Sequence, residues 1–272
     1  MITSQRIIES IPLWAIFLGA IVIIFVASQV GLLLGRLKHG PECGPEGPIG
    51  SVVGATLGLL AFLLAFTFGL SAQWYSDRRQ LLLEEVTTIE MAYLRAGLIP
   101  EPQRSEVRKL LRKYVEARPD IIEKPENIQK SEELQEQMWP LAESLAEADL
   151  KNPDIVTLFV ESLNQAFELH TKRMTVGLYR IPPPIWVVLM GVAILSMVAV
   201  GYHFCGVGRG SWQVNLVLAL TFATVILLIF DLDRNRSGWL IVSQQPMIEL
   251  NQRLQQRPTP GVPGPARPLG PS

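Results

Sequence analysis

Three histidines (His39, His170, His203) and two cysteines (Cys43, Cys205) are the residues best suited to metal or nucleophilic chemistry. Their spacing suits neither. The histidines lie far apart, and two cysteines exclude a four-cysteine zinc site, a disulfide-dense scaffold and an iron–sulfur cluster held by this chain alone. The sequence has no phosphate-binding glycine loop, dinucleotide fingerprint, zinc-protease helix or nucleophile elbow. Glu84, Glu85, Glu90, Glu161, Glu168 and His170 could supply oxygen and nitrogen ligands if two helices were adjacent. A di-metal bundle would carry Glu-x-x-His pairs, and none occurs. Solvated carboxylates are the expectation, with His170, on an apolar stripe, a satisfied core histidine. No enzyme activity, metal or cofactor is expected.

A different pattern stands between residues 50 and 69. Gly50, Gly54 and Gly58 are four apart, and Ala61, Ala65 and Gly69 continue the ridge. Small residues at this spacing let helix backbones approach closely in lipid. Phe62, Phe66 and Phe68 project elsewhere. Two readings follow. In one, Phe62 and Phe66 form a hydrophobic constriction on a pore-lining helix, which gates by dewetting. In the other, favoured by spacing alone, the ridge packs inside one subunit and the phenylalanines face lipid.

The elements that must carry these residues are membrane helices. Of the residues 49% are hydrophobic and only 18% charged. Thirty-four of the 49 charged side chains lie between Asp77 and Arg180. Four runs are free of charge: Ile11–Gly35, Gly47–Ser76, Ile181–Gly208 and Ser211–Phe230. About 20 apolar residues cross the hydrocarbon core, and backbone groups in lipid must bond within their own segment. The sequence therefore predicts an all-α membrane protein with four transmembrane helices and a helical cytoplasmic insert between the second and third. Arg6, Arg78, Arg79, Lys172, Arg173, Arg180, Arg234 and Arg236 gather on one side, against Arg36, Lys38 and Arg209 on the other. That bias puts both termini and the insert in the cytoplasm. Cys43 and Cys205 then share the external side, where a disulfide between them, or two unpaired thiols, can stand.

The spans contain no Asp, Glu, Lys or Arg, which argues against a coupled pump and leaves passive conduction or signalling open. His203, near the outer end of its span, is expected to be a hydrogen-bonded interfacial residue. A net charge of −1 gives no basic face for nucleic acid. The chain divides into residues 1–76 (spans one and two), 77–180 (insert), 181–230 (spans three and four), 231–256 (cytoplasmic segment) and 257–272. The last part holds six prolines in sixteen residues and is expected to be disordered. Within the insert four amphipathic stripes are predicted. The third is kinked or bounded at Pro140, and the fourth starts at Asn152-Pro153-Asp154. Pro246 is expected to limit any helix after the fourth span.

Two motifs carry a family resemblance. One is Leu57–Phe68 followed by Asp77-Arg78-Arg79-Gln80, Glu84-Glu85 and Ala92-Tyr93-Leu94-Arg95-Ala96; the other is Asp231 to Gly238 followed by Val242 to Pro246. Over about residues 48–250 the chain resembles a largely bacterial family of integral membrane proteins labelled bestrophin-like, which has no established activity. Family members commonly carry proline where Asn235 stands, so the turn there is expected to be less rigid. The label points to bestrophins: pentameric anion channels with four spans, cytoplasmic termini and a mostly helical cytoplasmic region. In them the second span lines the pore with a hydrophobic neck. Trp74-Tyr75 is similar to their paired aromatics, and Asp231 and Asp233 are carboxylates in the region of the calcium-regulated members' acidic cluster.

The resemblance implies an oligomeric passive anion channel in the bacterial inner (plasma) membrane, with Phe62 and Phe66 as constriction. Gly50, Gly54 and Gly58 would pack helices together, and Arg78 and Arg79 would supply charge beside the ion path. The partners are then the bilayer, further copies of the chain and anions. A membrane-anchored signalling scaffold, whose insert binds a cytosolic partner, is the alternative.

Overall fold

The computed structural model describes residues 11–39, 47–119, 126–147, 153–177, 179–204, 211–234 and 238–257, together with Lys124. Among them are eight helices: α1 (Leu13–His39), α2 (Gly47–Arg95), α3 (Gln103–Ala117), α4 (Glu126–Glu147), α5 (Pro153–Gly177), α6 (Pro183–His203), α7 (Ser211–Asp233) and α8 (Gln245–Gln256). Four of these, α1, the apolar part of α2, α6 and α7, are long and apolar enough to cross a membrane. The chain forms two compact units: residues 1–76 with 179–241, and residues 77–178 with 242–272.

In the first unit α1 packs along α6 and α7. The core holds Ile24 and Ala27 of α1, Leu60 and Leu64 of α2, Leu189, Ala193 and Met197 of α6, and Ala219, Ile226 and Ile229 of α7. Polar contacts fix the helix directions. At one end the Asp233 carboxylate accepts the Ile181 amide at 2.8 Å, and Arg234 Nη2 donates to the Ile11 carbonyl at 2.7 Å. The ring centroids of Trp74 and Tyr179 lie 6.4 Å apart near the same end. Toward the other, Ser196 Oγ donates to the Thr56 carbonyl. So α1 and α6 run one way, and α2 and α7 run the other.

In the second unit the polar part of α2 joins α3, α4, α5 and α8. The predicted stripes bury Val107, Leu110, Leu111, Tyr114 and Val115 on α3, Leu134, Met138 and Leu145 on α4, and Val156, Phe159, Leu163 and His170 on α5. Pro140 lies inside α4, so of the two alternatives it is not a boundary. Pro246 stands at the start of α8, where its missing N–H has no partner to lose and its fixed φ already suits the helix. The expected start of α5 is met at Pro153, while Asn152 lies outside the described residues. So do Cys43, Cys205, Asn235 and residues 258–272, and with them the disulfide and tail expectations.

Candidate functional site

Three places concentrate function-bearing residues: the apolar part of α2, the end of α7, and a polar cluster in the core of the second unit. On α2 the buried positions are Val53, Leu60, Leu64, Thr67 and Ser71, one narrow stripe that joins the core of the first unit. Only 22% of this span's most apolar window is buried, against 33% for each of the other three. Phe62 and Phe66 are 66% and 62% exposed. At about 100° per residue they point roughly 150° away from the buried stripe. A Cβ added at Gly54, Gly58 or Gly69 would meet nothing within 4 Å. Packing inside the subunit, the plainer reading of the ridge, therefore does not hold at these glycines. Gly50 alone has a neighbour, the His203 ring, 3.5 Å from its would-be Cβ. His203 stands edge-on to Phe204 at 5.5 Å; its Nδ1 has no hydrogen-bond partner among the described residues.

The end of α7 is a turn tied by carboxylates. Asp231 accepts the amides of Trp239 at 2.9 Å and Leu240 at 3.1 Å, one on each oxygen. Gly238 makes this possible: its φ is +149°, and a Cβ there would overlap the Asp231 carboxylate. Arg234 lies 4.7 Å over the Phe230 ring. Asp231 and Asp233 thus bind backbone amides, a structural use that explains the spacing of this motif.

The cluster in the second unit was largely invisible in the sequence. Glu85 of α2 is completely buried, where a solvated side chain was expected. Its Oε1 accepts from Arg118 Nη2, just past α3, and its Oε2 accepts from Arg173 Nη1 of α5 at 2.5 Å. Arg173 Nη2 continues to Gln244 Oε1 at 2.5 Å, at the head of α8. The second Arg118 nitrogen, Nη1, lies 2.7 Å from His170 Nδ1. Arginine only donates, so Nδ1 must accept and the neutral ring carries its proton on Nε2. His170 is the core histidine expected, but its Nε2 has no partner among the described residues. Tyr114 stands over the Arg118 guanidinium at 5.5 Å and accepts from Gln135 Nε2 at 3.1 Å. Burial lifts the Tyr114 hydroxyl to about 12, the Arg118 charge opposing. Burial, reinforced by Arg118, lowers His170 to about 4. Burial also lowers Arg173, against the opposing pull of Glu85.

The other acidic candidates stay apart. Glu84 is exposed and accepts from Gln80, Glu90 binds Arg253 and Arg257, and Glu168 binds Lys172. Among the described residues no group of three or more potential ligands is placed to hold a metal ion. Arg78 is buried, while Arg79 is exposed.

Comparisons place this architecture. The sequence matches the bestrophin-like domain over residues 20–247. No curated protein matches it. Among solved structures, a bacterial bestrophin homologue from Klebsiella pneumoniae, a tyrosine-to-alanine variant, superposes with a TM-score of 0.69 at 11% identity, covering 88% of this chain and 97% of its own. A proline-to-alanine variant described as a membrane protein gives 0.65 at 11%, covering 86% and 95%.

Proposed function

Since the chain belongs to the bestrophin-like domain family, we propose that this membrane protein is an oligomeric passive ion channel that conducts anions. The observation that supports it is the outward face of α2. Phe62 and Phe66 are turned away from the chain's own core, on the span least covered by its neighbours. Gly54 and Gly58 leave an open flank where a second copy's helix can approach closely. Several copies closing around this face would place two phenylalanine levels, about one helical turn apart, on a common axis. Residues 77–180 would then be a cytoplasmic insert, with both termini cytoplasmic and the spans in the plasma membrane. The spans offer no fixed charge, so an ion must pass a dry constriction partly dehydrated.

The test is anion flux from liposomes holding the purified protein. Replacing both Phe62 and Phe66 by Ala should raise the basal leak well above the parent's. No flux from either protein, with the oligomer intact, would remove the channel reading. A scaffold that docks a cytosolic partner is the second reading. It is favoured by one observation, an open cavity of about 490 Å³ on the second unit, lined by Leu145, Val156 and Val160 with Glu161 and Glu168 beside them.

A further inference from the structure

The second unit buries two guanidinium groups against one carboxylate. Arg118, Arg173 and Glu85 are nearly or wholly enclosed, and the cluster keeps an excess positive charge. Arginine does not lose its proton in a protein. The cluster therefore stays intact only while His170 is neutral. We propose that His170, with Glu85, Arg118 and Arg173, forms an acid-labile latch that holds α5 and the head of α8 against α2 and α3.

The geometry dictates the direction. His170 Nδ1 faces Arg118 Nη1 at 2.7 Å as an acceptor. A proton on Nδ1 turns that acceptor into a donor, aims two cations at each other, and adds a second excess charge to a buried site. The charged and titratable groups around His170 are Arg173 on its own helix, Tyr114 from α3, Arg118 just past α3, and Glu85 from α2. Of these only Glu85 favours the imidazolium, and both its oxygens already serve the arginines.

His170 is depressed from 6.5 to about 4 in the folded chain, first by burial and next by Arg118. The folded state therefore binds this proton more weakly than the unfolded state. The stability that neutral His170 confers is complete above about pH 6.5 and drains away as pH falls toward about 4.

The experiment is hydrogen–deuterium exchange on the full-length protein in detergent, corrected for intrinsic rates, between pH 7.5 and 4. Peptides carrying Glu85, Arg118, His170 and Gln244 should lose protection together as pH falls. The variant His170→Asn keeps a neutral acceptor near the Nδ1 position and does not titrate. Its loss of protection should begin at a pH lower by at least about half a unit. Identical pH profiles for parent and variant would overturn the latch. If the variant does not fold, nitrogen NMR of the parent at pH 7 decides. The proposal requires the tautomer with its proton on Nε2 and fails with the proton on Nδ1.

Discussion

Gly201 of α6 presses against the backbone of Ser28 in α1: a Cβ at Gly201 would overlap the Ser28 carbonyl oxygen and stand 2.9 Å from the Leu32 amide nitrogen. The contact is reciprocal, since a Cβ at Gly31 would overlap the Val198 carbonyl and sit 2.9 Å from the Val198 α-carbon. The obstacles are backbone atoms on both sides, so no rotamer change relieves them. Gly201→Ala should drive the two helices apart and destabilise the first unit by about 1–3 kcal/mol. Thermal unfolding in detergent measures this, with Gly191→Ala on the same helix, which meets nothing within 4 Å, as the unaffected comparison.

Gly54, whose added Cβ would meet nothing within 4 Å, gives a separate test of assembly. Gly54→Leu leaves the contacts within the chain untouched but fills the flank through which copies are proposed to meet. Size-exclusion chromatography with light scattering should show a shift toward monomer at unchanged secondary structure. An unchanged oligomer would place the interface on another face.

These glycines show what the sequence makes legible. Charge-free runs are set by the bilayer's thickness, so the four apolar helices could be read directly. The small-residue ridge on the second span was also plain. Which small residues make close contact was not, because Gly31 and Gly201 form no local pattern and meet only when two distant helices cross. The same holds for the charge cluster. Glu85 sits among exposed acids such as Glu84, and Arg118 ends a helix with several basic residues. Nothing local marks these two for burial. His170 gave the single hint, a polar residue on the apolar stripe of Val156, Phe159 and Leu163.

Glu85 and Glu84 therefore differ sharply in consequence. Glu85→Gln leaves Arg118 and Arg173 buried without an anion, and removing one partner of a buried ion pair costs about 3–5 kcal/mol. Glu84→Gln loses only an exposed hydrogen bond with Gln80 and should change stability by less than about 0.5 kcal/mol. Limited proteolysis of the purified variants separates the two. Glu85→Gln should be cut within residues 77–178 far faster than the parent, and Glu84→Gln should match it.

Charge at the proposed ion path is the last point, and burial divides the two candidate arginines. Arg78 is enclosed, whereas Arg79 is exposed and its charge acts through solvent. An exposed charge influences a passing ion only within about a Debye length, roughly 10 Å at 0.1 M salt and 30 Å at 0.01 M. If Arg79 stands beside the path, Arg79→Gln should lower the anion-to-cation permeability ratio, and the drop should be larger at 0.01 M salt, an expectation of about threefold longer reach. Arg78→Gln should instead weaken the second unit, because it alters a buried polar side chain. Reversal potentials of both variants in planar bilayers at two salt concentrations make the measurement. A ratio unchanged by Arg79→Gln even at low salt would mean that the selectivity comes from elsewhere on the path, and the role assigned to Arg79 would fall.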